Sequence, residues 1–186
     1  MLETHIIEPL DLVEARSVLA RTPLVLRTLV EGLSGDSIRA REAPNTWNAF
    51  EVLCHLADGE ISDWIPRVAI ILNGGNDKRF RPFDREGGLR RYAGWSMPQL
   101  LQEFEMLRRN SLTKLDGFRI GSEHLQLQGV HPEFGAVTLE QLLACWVTHD
   151  HAHIAQISRV LVRHFGLRVG PWTKYFSLLR DRSTVG

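Results

Sequence analysis

Two cysteines in 186 residues, Cys54 and Cys145, are too few for a disulfide framework. They lie far apart in helical stretches, so a reducing, cytoplasmic setting is the expectation. Charge of one sign is lacking too: 22 basic and 22 acidic side chains give a formal net charge of zero. A general nucleic-acid binder needs surplus Lys and Arg to displace phosphate counterions, and a polybasic membrane-surface protein needs the same surplus. Neither partner is expected. No apolar run approaches the roughly 18 residues of a membrane span. The opening residues, MLETH, lack the basic and apolar regions of a signal peptide. Internal repeats, low-complexity tracts, a nucleotide-binding loop and a dinucleotide fingerprint are also missing.

What is present is ordinary globular composition, 44% hydrophobic and 24% charged. The length fits one domain over residues 1–186 that can bury a core without staples. Helical signals dominate. Residues 11–20 read as a first helix, and Thr22-Pro23 reads as a restart that breaks or kinks it before it runs on to Gly35. Residues 36–47 read as a loop. A second helix is predicted over about 48–72, with Leu53, Ala57, Ile61, Trp64, Val68 and Leu72 at helical spacing and a kink at Pro66. Residues 73–96 and 116–137 read as long connections. Between them, Ser96 and Pro98 open a third helix over about 97–115. Thr138 and Gln141 form a capping box for a fourth helix reaching about Phe165, and a short helix is predicted over about 172–181. Four principal helices imply an all-α four-helix bundle, with long connections that leave room for crossovers.

The fourth helix carries THDHAHIAQ at 148–156. His149 and His153 stand one turn apart on one face, a spacing that lets two imidazoles ligate one metal at about 2.0–2.1 Å. Gln156 continues the stripe and can hold a metal-bound water or orient a ligand. His151 points to the opposite side and reads as polar surface. The alternative for the pair is packing against the core stripe of Leu139, Leu142 and Cys145. Asp150 is a weak candidate for a general base, because aspartate is shorter than the glutamate of zinc proteases at the matching position. A supporting or surface role is preferred for it. Cys145 is a weak candidate for a fourth, soft ligand, with burial the commoner fate. His55 is the natural third histidine, yet on an ideal helix it lies off the Leu53–Ala57–Trp64 stripe. It reaches the bundle only if that end is buried on more than one side or if Pro66 reorients the halves.

In the first long connection, Arg79, Arg81, Arg85, Arg90 and Arg91 make a basic excess that could draw an anionic substrate. A solvated loop with internal ion pairs is the preferred reading. His131 could reach a site mouth or serve its His-Pro turn. Trp47, Trp95, Trp146 and Trp172 read as core or interface anchors.

Several segments in order resemble the DinB/YfiT-like superfamily: TWNAFEVLCHLADGE (46–60), RPFDREG (81–87), HPEFGAVTLEQLL (131–143) and THDHAHIAQI (148–157). The resemblance spans most of the chain. It implies an up-down-down-up four-helix bundle, often a homodimer, with a three-histidine metal centre at His55, His149 and His153. It implies zinc or nickel as the divalent metal. Some relatives use low-molecular-weight thiols, so a small-molecule hydrolase or a thiol-dependent transferase is expected. The alternative is a non-catalytic, metal-containing module that binds a small ligand in a stress response.

Overall fold

The computed structural model describes residues 8–179. The two ends, including the MLETH segment and the last residues of the predicted 172–181 helix, lie outside the described residues. The order is α1 (Leu12–Val30), α2 (Gly35–Arg39), α3 (Ala49–Ser62), α4 (Trp64–Asn73), α5 (Gly87–Arg91), α6 (Met97–Gly117), β1 (Gln128–His131), β2 (Gly135–Thr138) and α7 (Leu139–Gly166), followed by short 3-10 turns over Gly170–Tyr175 and Ser177–Leu179. Among the described residues no helix is long and apolar enough to cross a membrane.

Local chemistry starts the long helices where the sequence places them. Asn48, Ser96 and Thr138 each accept from the backbone three residues on, and Glu51, Gln99 and Gln141 bond back to the cap, completing three capping boxes. Their satisfied amides leave helix-long apolar faces to drive packing.

α1, α3, α6 and α7 form the four-helix bundle. α1 packs on α6 and α7, and α3 packs on the same two, so α1 lies diagonal to α3 and α6 diagonal to α7, while the consecutive α3 and α6 are neighbours. Leu10 meets Glu140, Thr22 meets Asp150 and Ser37 meets His164, so α1 and α7 run parallel. Arg16 pairs with Asp116 and Arg27 with Glu105, so α6 runs against α1. Trp146 meets Glu60 while His149 and His153 meet His55, so α3 runs against α7. The order is therefore up-down-down-up.

Four details depart from the sequence reading. α1 runs unbroken through Pro23. Residues 35–39 form α2 rather than loop. The predicted second helix is two helices, parted at Asp63, three residues before Pro66. Pro66 has no amide hydrogen and its ring crowds the carbonyl four residues earlier, which is where α3 ends. The two long connections hold α5 and a β1–β2 hairpin paired Gln128↔Thr138 through His131↔Gly135. Strands of four residues are too short to show a period of two.

One buried polar network ties the bundle together. Arg108 of α6 donates to Asp150 of α7 at 2.5 and 3.0 Å and to Glu60 of α3 at 2.8 Å. Thr22 of α1 donates to Asp150 at 2.6 Å, and Trp146 donates to Glu60 at 3.2 Å. Burial opposes the charge on Arg108, but Asp150 and Glu60 outweigh it and hold its pKa above the ordinary arginine value.

Candidate metal centre

His55, His149 and His153 converge. His55 Nε2 lies 2.9 Å from His149 Nε2, which lies 3.2 Å from His153 Nε2. One ligand atom from each falls within 4.8 Å of the others, the one such group found among the described residues. Tetrahedral coordination with bonds of 2.0–2.1 Å separates nitrogen donors by roughly 3.3 Å.

The helix packing explains how His55 arrives. Residues Val52 through Glu60 are all buried, because α5, α6 and α7 cover α3 from different sides. Burial on several sides, not the break near Pro66, brings the ring inward. Aromatic rings then fix the imidazoles: Trp47 at 4.9 Å and Phe83 at 5.3 Å from His55, and Trp64 at 5.1 Å from His149. Trp47 is thus a wall of the site, whereas Trp146 is a core residue stacked on Trp64 at 5.6 Å. Trp95 and Trp172 are exposed.

The electrostatics keep the rings neutral. Burial, then the neighbouring His153 and the Arg85 guanidinium, lowers His55 to about 3. Burial, His153, His55 and nearby cations lower His149 to about 2. Burial also lowers His153. His153 Nδ1 donates to Gln156 Oε1 at 2.8 Å, so its Nε2 keeps a lone pair. One proton can serve only one of the two Nε2 contacts in line, which leaves neighbouring lone pairs facing each other. A single cation shared by three neutral imidazoles resolves that conflict, so the donor set fits a divalent metal.

The other candidates fall into two groups. Asp150 is fully buried and its oxygens are taken by Arg108 and Thr22, so it faces the core network rather than the histidine nitrogens. His151 is exposed. Gln156 orients His153. Cys145 is exposed rather than buried and lines the cavity beside the histidines without joining their cluster; partial desolvation by the cavity wall, then Asp63, raises its thiol pKa.

That cavity measures about 960 Å³. Its walls come from α4, the segment around residues 80–85 and the hairpin tip. His131 does both tasks foreseen for it: Nδ1 accepts the turn amides of Glu133 and Phe134, and the ring, stacked on Phe134 at 4.6 Å, lines the cavity. In the basic connection Arg79 pairs with Asp77 and Arg90 with Asp84, as a solvated loop with internal ion pairs requires, whereas Arg91 reaches out of the connection to the buried Asp58 of α3. Arg85 lines the cavity instead. Sequence reasoning missed Asp63 and Arg67, which also line it. Their i, i+4 spacing was the available signal.

The model of the DinB superfamily matches residues 19–157. Among solved structures, YfiT from Bacillus subtilis, described as a probable metal-dependent hydrolase with an unusual four-helix bundle topology, superposes with a TM-score of 0.71 at 22% identity. The match covers 86% of this chain and 92% of that one. No curated protein sequence matches the chain.

Proposed function

This chain belongs to the DinB superfamily, and on that premise we propose that it is a metal-dependent hydrolase of a small molecule, with His55, His149 and His153 holding one divalent cation. The convergence of three Nε2 atoms at the floor of a 960 Å³ cavity carries the reading. Neutral nitrogen donors suit zinc or nickel. Three protein ligands leave coordination positions open, as catalytic sites do and closed structural sites do not. A cation held there supplies Lewis acidity toward an electrophilic carbonyl or a water.

The chain's own residues supply the rest. Gln156 fixes the tautomer and angle of His153. Trp47, Trp64 and Phe83 pack the imidazoles in place and screen them from bulk water. Phe134 and His131 close the outer wall.

Elemental analysis of protein prepared without a metal-binding tag tests the reading. The expected content is about one transition-metal ion per chain, lost on chelation and absent from His149→Ala. Hydrolysis of small esters or amides by the metal-containing protein is expected without an added thiol. A strict requirement for a low-molecular-weight thiol would replace hydrolysis with thiol transfer, and an absence of metal in the wild type would end both.

A further inference from the structure

The cavity over the histidines has a second polar end. Asp63, at the break between α3 and α4, and Arg67, one turn further on, both line it. Arg67 is 9% exposed. Its Nε lies 2.6 Å from Asp63 Oδ1, and its guanidinium sits over the Phe80 ring at 5.2 Å. The two Nη groups have no hydrogen-bond partner among the described residues.

Arg108 shows what a buried guanidinium in this protein requires. At 1% exposure it is met by two carboxylates and the Leu19 carbonyl. Arg67 approaches that burial with a single carboxylate, on Nε, and the side of the fork left free opens on the cavity. A guanidinium fork matches a carboxylate through two parallel N–H···O bonds.

We propose that Arg67 is the anchoring residue for an anionic group of the substrate, and that the cavity takes a small carboxylate with an apolar body. The proposal deepens the hydrolase reading and rests on it for the other end of the cavity. Nη1 and Nη2 of Arg67 bind the carboxylate. Asp63 is a positioning residue that holds Nε and turns the fork outward. Phe80, Trp64, Leu142 and Phe134 cover the body. Trp64 packs on His149, and Arg67 follows it by about one helical turn, roughly 5 Å along α4. A substrate the length of an aromatic ring with a short arm spans the two ends. Asp63 cancels the charge of Arg67, so selection comes from fork geometry and desolvation. Arg85, at the histidine end, adds positive potential without touching the anchor.

Calorimetric titration of the metal-containing protein with 3-phenylpropionate and with 3-phenylpropanol tests the anchor, because the two share a body and differ in charge. The acid is expected to bind at least about tenfold more tightly than the alcohol, the scale of one charge-assisted bidentate contact. Arg67→Gln is expected to remove that preference, Asp63→Asn to weaken it and Arg85→Gln to keep most of it. The preference is expected to survive chelation. Equal binding, no binding of either compound, a preference kept in Arg67→Gln, or one lost on chelation would each overturn the anchor. If Arg67→Gln does not fold, the wild-type Arg67 side-chain N–H resonances decide: a shift on adding the acid and none with the alcohol supports the proposal, and no shift with the acid overturns it. Metal content measured on the same samples separates the two readings. Metal without acid preference removes the anchor alone, and acid preference without metal removes the hydrolase reading alone.

Discussion

Arg108 donates to the carbonyl oxygen of Leu19 at 2.8 Å, the carbonyl that Pro23, four residues on in α1, cannot reach with an amide hydrogen. An interior proline ordinarily costs a helix about 3 kcal/mol, partly through that orphaned acceptor. Here a guanidinium from α6 takes the place of the missing donor, and α1 continues. The same guanidinium neutralises Asp150 and Glu60 in the core.

Replacing Arg108 by Met therefore leaves two buried carboxylates and one carbonyl without their partner. The expected loss is about 3–5 kcal/mol, the range for breaking one side of a buried ion pair. Urea denaturation of Arg108→Met against wild type measures it. Arg109→Met is the control, since that side chain is 74% exposed beside Glu105; its expected change is within about 0.5 kcal/mol. Equal effects would mean that the network contributes nothing beyond surface charge.

Gln156 is expected to act on metal affinity through His153. Its Oε1 accepts from Nδ1, which keeps Nε2 available as a donor. Gln156→Leu removes the acceptor and is expected to weaken metal binding about 10–100-fold, the usual effect of losing such a support. Gln156→Glu retains an acceptor and is expected to bind within a few-fold of wild type. Chelator competition reads both affinities, and thermal unfolding of the metal-free variants checks that the fold is unchanged. An unaltered affinity in Gln156→Leu would show that ring packing alone orients His153.

Acid should unfold the metal-free protein. His55 is lowered to about 3 and His149 to about 2 by burial, while unfolded histidine titrates near 6.5. Below about pH 6.5 the unfolded chain binds protons that the folded chain refuses, so stability falls as pH falls toward the folded values. The two rings together contribute on the order of 1–3 kcal/mol per pH unit in that window. Asp63, raised to about 6 by burial, works in the opposite sense between about pH 4 and 6, because its folded form takes up the proton first. His153 and His131 are lowered as well and act with these two rings, and Glu60 is raised and acts with Asp63. The histidines outnumber the carboxylates, so a net loss on acidification is expected. Denaturant midpoints of chelated protein at pH 7 and pH 5 measure it, and His149→Phe should flatten the slope. A midpoint that does not move would contradict burial of neutral rings.

The signals legible in the sequence were local. Ser96 announced its helix through Pro98; the Asn48–Glu51 and Ser96–Gln99 boxes came from the structure. Thr138 announced its own because a capping residue and its partner are three positions apart in the chain. The His149–His153–Gln156 stripe was legible for the same reason. His55 was not placed by its own period, since α3 is covered on several sides and every residue from 52 to 60 is buried; the family motif supplied it. Arg108 was unreadable: within the run Arg108-Arg109-Asn110 it looks like solvated surface, and its partners lie at positions 19, 60 and 150. The hairpin and α5 were too short to develop a period. Asp63–Arg67 looked like any exposed i, i+4 pair until the cavity wall placed it.

Gly88 links the α5 connection to the site. A Cβ there would lie 2.3 Å from the Cys54 carbonyl oxygen and 3.1 Å from Asp58 Cβ, so the backbones of α5 and α3 meet at this glycine. Neither neighbour can yield easily, because Cys54 is part of a fully buried helix turn. Gly88→Ala is expected to destabilise by about 1–3 kcal/mol, as overpacking does. The displaced segment carries Phe83, which packs on His55, and Arg85. Metal affinity should therefore fall along with stability in the fraction that remains folded. Gly117→Ala is the matched control: nothing lies within 4 Å of its Cβ position, and the same added methyl is expected to be neutral or to stabilise by up to about 1 kcal/mol. Chemical denaturation and chelator competition on the two variants give four numbers. A Gly88→Ala protein with wild-type stability would show that α5 can lift off α3 at no cost, and its metal affinity would then tell whether the site needs α5 at all.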